Sequence, residues 1–196
     1  MNTKNKTSGY SLVEALVAIS ILLLALVGPM TIAAKGIQSS SFVREQTVAI
    51  FLAQEGLEAF TAARNDITLA AASGGDFSGV WTDFRTMIND SQCRISSGSG
   101  CNVDFSTTNP LLSGGTSVPC AADGSGCELY FDETNARAKY SLDSNDPQSP
   151  YVRVIEIIDV AGGGLQIEST VLWNSRLFGS QQQNVTLTTA LFNLYE

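Results

Sequence analysis

The sequence contains no histidine. That removes the side chain most used as a general base near neutral pH and the commonest metal ligand. Basic residues are scarce as well: 11 Lys and Arg stand against 19 Asp and Glu, a formal net charge of −8. A chain that grips nucleic acid needs a basic patch to meet phosphates, and this balance argues against one. Ser11 and the serines after Gln38 have no base beside them, so no nucleophile–base pair is visible. Cysteine is limited to Cys93, Cys101, Cys120 and Cys127. Their spacings are not those of a zinc site, and no histidine helps. They read as disulfides, for which four cysteines allow three connectivities. Loop length favours Cys93–Cys101 and Cys120–Cys127, with the crossed pairings left open.

What is present begins with the stretch Gly9–Ala34, GYSLVEALVAISILLLALVGPMTIAA. From Ala15 to Ala34 it is apolar apart from Ser20, Gly28, Pro29 and Thr31, and it is long enough to cross a hydrocarbon core of roughly 30 Å as a helix. The preceding MNTKNKTSG carries Lys4 and Lys6 and no acid, which holds that end in the cytoplasm and sends the rest outward. Glu14 is the exception inside this pattern. A carboxylate in a membrane segment costs about 2.5–3.5 kcal/mol at the centre and less near the edge. A partner cation accounts for it economically. A cut after Gly9 creates an amine on Tyr10, four residues from Glu14 on one helical face, and the carboxylate can meet its own amine or a neighbour's. Such a cut also removes Lys4 and Lys6, taking the side-chain charge from −8 to −10.

The run Gly9, Tyr10, Ser11, Leu12, Val13, Glu14, followed by an apolar helix, resembles the N-terminus of type IV prepilins and pseudopilins. Their pattern is a basic leader ending in Gly, then an aromatic residue, Ser or Thr, Leu, any residue, and Glu. The family more often has Phe where this chain has Tyr10. The resemblance implies cleavage after Gly9 by a prepilin peptidase, N-methylation of Tyr10, and a role for Glu14 in assembling the helix into a filament core. It implies a minor pilin or pseudopilin, a structural subunit and not an enzyme, with no cofactor. The implied partners are other pilins or pseudopilins, the prepilin peptidase, an inner-membrane assembly platform, and membrane lipid before assembly. The implied location is the inner (cytoplasmic) membrane, with the C-terminal domain outside the cytoplasm, and then a pilus or pseudopilus. The competing reading is a periplasmic or secreted binding module with a signal anchor or an ordinary signal peptide cut near Thr31-Ile32-Ala33. Glu14 within the apolar region, and helical sequence continuing beyond Ala34, speak against it.

Gly28-Pro29 predicts a kink or a locally melted segment, because proline removes a backbone bond and clashes with the preceding turn. Between Lys35 and Arg64, Val48, Ala49, Leu52, Gly56, Ala59, Phe60 and Ala63 fall on one face at helical spacing, an amphipathic continuation of the same helix. From Asp66 to Gly126 periodicity fades into Ser, Gly, Thr and Asn, and only Val80–Asn89 suggests a short helix. After Cys127, Glu128–Phe131, Ala138–Leu142, Tyr151–Val160, Leu165–Trp173 and Val185–Phe192 read as strands, with Arg176–Asn184 as a loop.

The expected fold is α+β and pilin-like, one long N-terminal helix covering an antiparallel sheet of three to five strands. The divisions are a leader, 1–9; a transmembrane or filament-core helix, 10–34; an amphipathic helix, 35–65; a variable loop region with a short helix, 66–126; and the sheet, 127–196. Glu156 and Asp159 fall on opposite strand faces and make no acid/base pair. The Asp143–Asp146 cluster reads as a solvated turn more readily than as a calcium loop. Gly162-Gly163-Gly164 reads as a hairpin turn.

Overall fold

Sixty-three residues, Leu12–Gly74, form one helix, α1, in the computed structural model. The structure describes residues 9, 11–90, 93, 100–104, 117–121, 124–133, 139–175 and 181–194. The chain divides into two units, residues 1–44 and 45–196. In the first, α1 is unbroken across Gly28-Pro29, so the melted segment expected there does not form. Pro29 forfeits only the bond to the Ala25 carbonyl, and good helix formers, Leu22–Leu26 before it and Ala33, Ala34 and Lys35 after it, keep the helix going. In the second unit α1 continues past Arg64 into sequence read as loop. Leu69-Ala70-Ala71-Ala72 are strong helix formers that an amphipathic criterion passes over. The helix stops at Gly74, where Gly75 turns the chain with φ +72°, the left-handed step that commonly ends helices.

A second helix, α2, spans Val80–Asp90. Before it, Asp76 accepts hydrogen bonds from the Ser78 backbone N–H at 2.9 Å and hydroxyl at 2.7 Å. Those bonds, the backbone one foremost, hold its carboxyl below the usual carboxylate range.

Among the described residues seven strands follow: β1 Cys101–Val103, β2 Ser117–Pro119, β3 Glu128–Asp132, β4 Lys139–Ser141, β5 Gln148–Asp159, β6 Leu165–Asn174 and β7 Gln182–Leu191. They form one antiparallel sheet centred on β5. One edge of β5 pairs along its length with β6, which pairs with β7. The other edge is shared: β3 pairs near Gln148 and Val152 and carries β4, while β1 pairs at Ile155 and carries β2. Seven strands replace the three to five expected because β1 and β2 are three-residue strands whose pairing comes from tertiary contacts, not from alternation of their own. β7 starts at Gln182, inside the stretch read as loop, since its register with β6 persists to Asn174↔Gln182.

The sheet is covered on one face by α1 and α2. Ala49, Leu52, Ala53, Gly56, Ala59, Phe60 and Ala63 of α1 are buried. Phe60 and Ala63 join Phe84 and Ile88 of α2 and Ile155, Ile157, Leu165 and Ile167 of the sheet in one core. The small residues let the helix backbone come close. At Gly56 an added Cβ would stand 2.6 Å from Ser169 Oγ, 3.2 Å from Ile155 Cδ1 and 3.3 Å from Arg153 Cδ. The opposite face of β5 is partly covered. Gly124, in the loop between Cys120 and Cys127, sits over Val152, Val154 and Leu172. Exposure along β5 still alternates: Tyr151, Arg153, Ile155 and Ile157 are buried under the helices, and Val152, Val154, Glu156 and Ile158 on the other face are half-buried.

The close approach at Gly56 gives a stability prediction. Gly56→Ala gains helix propensity worth up to about 1 kcal/mol, but overpacking at such a contact costs about 1–3 kcal/mol. The net effect is a lower midpoint in thermal unfolding of the detergent-solubilised chain. Gly36→Ala, whose methyl meets nothing within 4 Å, leaves the midpoint unchanged or raises it.

Candidate functional site

The motif singled out in the sequence lies at the start of α1. Gly9 is exposed and outside the helix. The rest of the leader, residues 1–8 with Lys4 and Lys6, and Tyr10 lie outside the described residues. The Ser11 carbonyl accepts the first helical bond, from the Ala15 N–H at 3.1 Å, and Leu12 is the first helical residue. Glu14 therefore stands in the first turn. There the backbone N–H groups lack helical partners and the helix dipole is positive, which favours a carboxylate. Ser11 and Glu14 also have the spacing of a capping box. The local structure thus offsets part of the penalty of Glu14 and places it at the end of the apolar segment, where that penalty is smaller.

Beyond Glu14 the helix is apolar and bare. Its most apolar 18-residue window has mean hydropathy 2.5 and no residue buried by the chain itself. Leu12, Leu24 and Met30 are each more than three-quarters exposed. Among the described residues, α1 is the helix long and apolar enough to cross a membrane. Its hydroxyl groups are satisfied internally: Ser20 Oγ donates to the Leu16 carbonyl at 2.8 Å and Thr31 Oγ1 to the Gly28 carbonyl at 2.8 Å. Such back-bonds let Ser and Thr face an apolar surrounding without an unpaired donor.

In the second unit the polar centre is one that the sequence reading missed. Arg153 on β5 is only 2% exposed. Its Nε donates to Asn102 Oδ1 at 2.8 Å and its Nη2 to the Val103 carbonyl at 2.8 Å. Its Nη1 donates to Glu55 Oε2 at 2.7 Å and to the Leu52 carbonyl at 3.2 Å. Burial lowers its pKa from the usual guanidinium value, and Glu55 and then Asp104 act against that shift. The signal was present in the pattern: Tyr151, Arg153, Ile155 and Ile157 share the buried face, so a charge stood in an apolar phase.

The four cysteines gather on the same edge of β5. They form Cys93–Cys101 and Cys120–Cys127, the short-range pairing. The Ile157 N–H donates to the Cys93 carbonyl at 2.9 Å and the Arg153 N–H to the Cys127 carbonyl at 3.1 Å. Asn102 Nδ2 also donates to the Cys127 carbonyl, at 3.2 Å, so Asn102 joins the two bridges to Arg153.

The remaining polar groups are used locally. Asp143 Oδ1 accepts the Asn145 N–H at 3.0 Å, and Ser141 Oγ donates to Asp146 Oδ2 at 3.0 Å. Asp159 pairs with Arg85 at 2.7 Å, away from Glu156. Gly162 and Gly163 take positive φ in the β5–β6 turn, closed by the Val160 N–H on the Gly164 carbonyl at 3.0 Å. Among the described residues no three ligating side chains gather for a metal.

Against this geometry, residues 4–28 match the family model described as the prokaryotic N-terminal methylation motif. That motif is the signature of type IV pilin-like proteins, and this chain carries it. The long apolar helix continuing onto a C-terminal antiparallel sheet is the α+β, pilin-like arrangement. The motif points to a structural subunit and implies contact with other pilin subunits and with a prepilin peptidase. No curated protein and no solved structure matches the chain.

The buried guanidinium predicts an asymmetric mutational response. Arg153→Met takes the side-chain donor from the Val103 carbonyl and one of two donors from Asn102 Oδ1, which keeps the Val103 N–H, and lowers stability by about 1–3 kcal/mol in chemical denaturation. Glu55→Gln keeps an acceptor for Nη1 at a partly exposed position and costs about 1 kcal/mol.

Proposed function

We propose that the protein is a minor pilin or pseudopilin, an assembly subunit of a type IV pilus or a related secretion or uptake filament. The observation that carries this reading is the methylation motif at residues 4–28 leading into a bare apolar helix. Before assembly, Ala15–Ala34 lies in the inner membrane, the leader stays in the cytoplasm and the sheet domain lies outside. The prepilin peptidase cuts after Gly9 and the new N-terminus at Tyr10 is methylated. The Glu14 carboxylate then attracts the terminal amine of a neighbouring subunit. In a low-dielectric surrounding that attraction is strong enough to favour extraction from lipid, and the apolar surfaces of the helices bury one another. Gly28-Pro29 supplies the place where the helix adjusts on packing, since one backbone bond is already missing there. The large domain beyond the helix suits a priming, tip or minor position better than that of a major subunit.

Two variants test this. With the prepilin peptidase present, Gly9→Ala leaves the precursor uncleaved, seen as retained leader mass on a gel. Glu14→Ala is cleaved normally but enters sheared filaments about tenfold less, the loss expected for one charge-assisted contact. Normal cleavage of Gly9→Ala contradicts the reading.

A further inference from the structure

Among the described residues β7 pairs only with β6, so its outer edge is open along all of Gln182–Leu191. Natural sheets guard such edges with charge, proline, a bulge or a very short strand. This edge has none of these: QQNVTLTTAL carries no charge and no proline, and its register with β6 is continuous. The other open edges, β2 and β4, are three residues each, with Pro119 in one and Lys139 in the other. Among the described residues only β7 is left unguarded.

Beside that edge lies a groove of 630 Å³, lined by Gln54, Leu57, Glu58, Thr61 and their neighbours on α1 and by Leu187, Thr188 and Thr189 on β7. It occupies the space under α1 that the inward side chains of one more strand would fill. Leu57 and Leu187 offer half-buried apolar surface, and Glu58 is exposed on the rim. No basic side chain lines the groove.

We propose that β7 is completed by an antiparallel strand from a different, non-identical subunit. That strand carries an apolar side chain facing Leu57 and Leu187 and a Lys or Arg facing Glu58. A second copy of this chain fits poorly. Its β2 and β4 edges are too short to cover ten residues. Two β7 strands paired antiparallel are related by a twofold axis normal to the sheet, which reverses α1, so the two Glu45 ends would face opposite ways. Subunits anchored by α1 in one membrane share a direction, and to that extent the inference rests on the proposed function. Parallel pairing turns the partner's sheet over and sets uncharged Thr186 and Thr188 against the groove, with no cation for Glu58. Main-chain bonds along the edge would supply affinity, and the groove would supply selectivity.

The test uses the full chain in its native membranes, with its co-subunits. A photo-crosslinking amino acid replaces Asn184, Thr186, Thr188 and Ala190, all exposed, one at a time. The expected result is adducts with one other chain, whose linked residues step backward along a single strand as the probe moves forward. Glu58→Lys should lower adduct yield about tenfold through like-charge repulsion while cleavage after Gly9 continues. Adducts with this chain's own β7, with lipid, or with scattered positions overturn the proposal, as does an unchanged yield in Glu58→Lys. Stepped adducts from a chain not cleaved after Gly9 would support the strand pairing and overturn the pilin reading instead.

Discussion

The sheet domain depends on keeping one guanidinium out of water. A buried charge is tolerated only if nearly all its donors find acceptors. Arg153 finds them on two separate segments: Leu52 and Glu55 of α1, and the neighbouring Asn102 and Val103 of β1. Neither segment alone supplies all the acceptors, so α1 and β1 must both be in place to satisfy the buried guanidinium. The disulfides bear on the same point, since Cys101 precedes Asn102 and the Cys127 carbonyl accepts from both Asn102 and the Arg153 backbone. The Cys93–Cys101 and Cys120–Cys127 bridges therefore help to fix the acceptors that a buried cation needs. Within this unit the Ala49–Ala63 stretch of α1 is part of the core.

One helix thus serves two surroundings, and its composition follows each. From Leu12 through the apolar stretch the side chains are large and outward-facing, and the few hydroxyl groups bond back to the helix itself. From Ala49 to Ala63 the buried stripe turns to Ala and Gly with Leu52 and Phe60, which allows the close approach at Gly56 that brings Glu55 within reach of Arg153. The first segment is stable only in lipid or among other helices; the second only against a sheet. The filament subunit proposed above would use this division, the first surface exchanging lipid for other helices while the second keeps its sheet.

The sequence made some of this legible and hid the rest for physical reasons. The membrane-length run, the amphipathic stripe and the alternation of Leu165–Trp173 are periodic signals, and the corresponding elements stand where periodicity puts them. Glu14 was conspicuous because a charge breaks an apolar run. Arg153 broke an apolar phase in the same way, but one charge in a strand of alternating exposure is easily assigned to the outer face. β1 and β2 carry no alternation, and their three-residue pairings exist only because β5 presents an edge. The extension of α1 to Gly74 was hidden by Asn65, Asp66 and Thr68, polar residues that look like loop until the following alanines are weighed. The groove beside β7 arises from the placement of α1 over an edge strand and has no counterpart in any single stretch of sequence.

The central claim is that the apolar helix belongs to a processed filament subunit, and its most direct test is the N-terminal mass of the mature protein from a sheared-filament or membrane fraction. The account predicts a peptide beginning at Tyr10 and heavier than the unmodified peptide by one methyl group. A peptide beginning near Lys35, the mark of an ordinary signal peptide, or an intact Met1, the mark of a simple anchor, would contradict it.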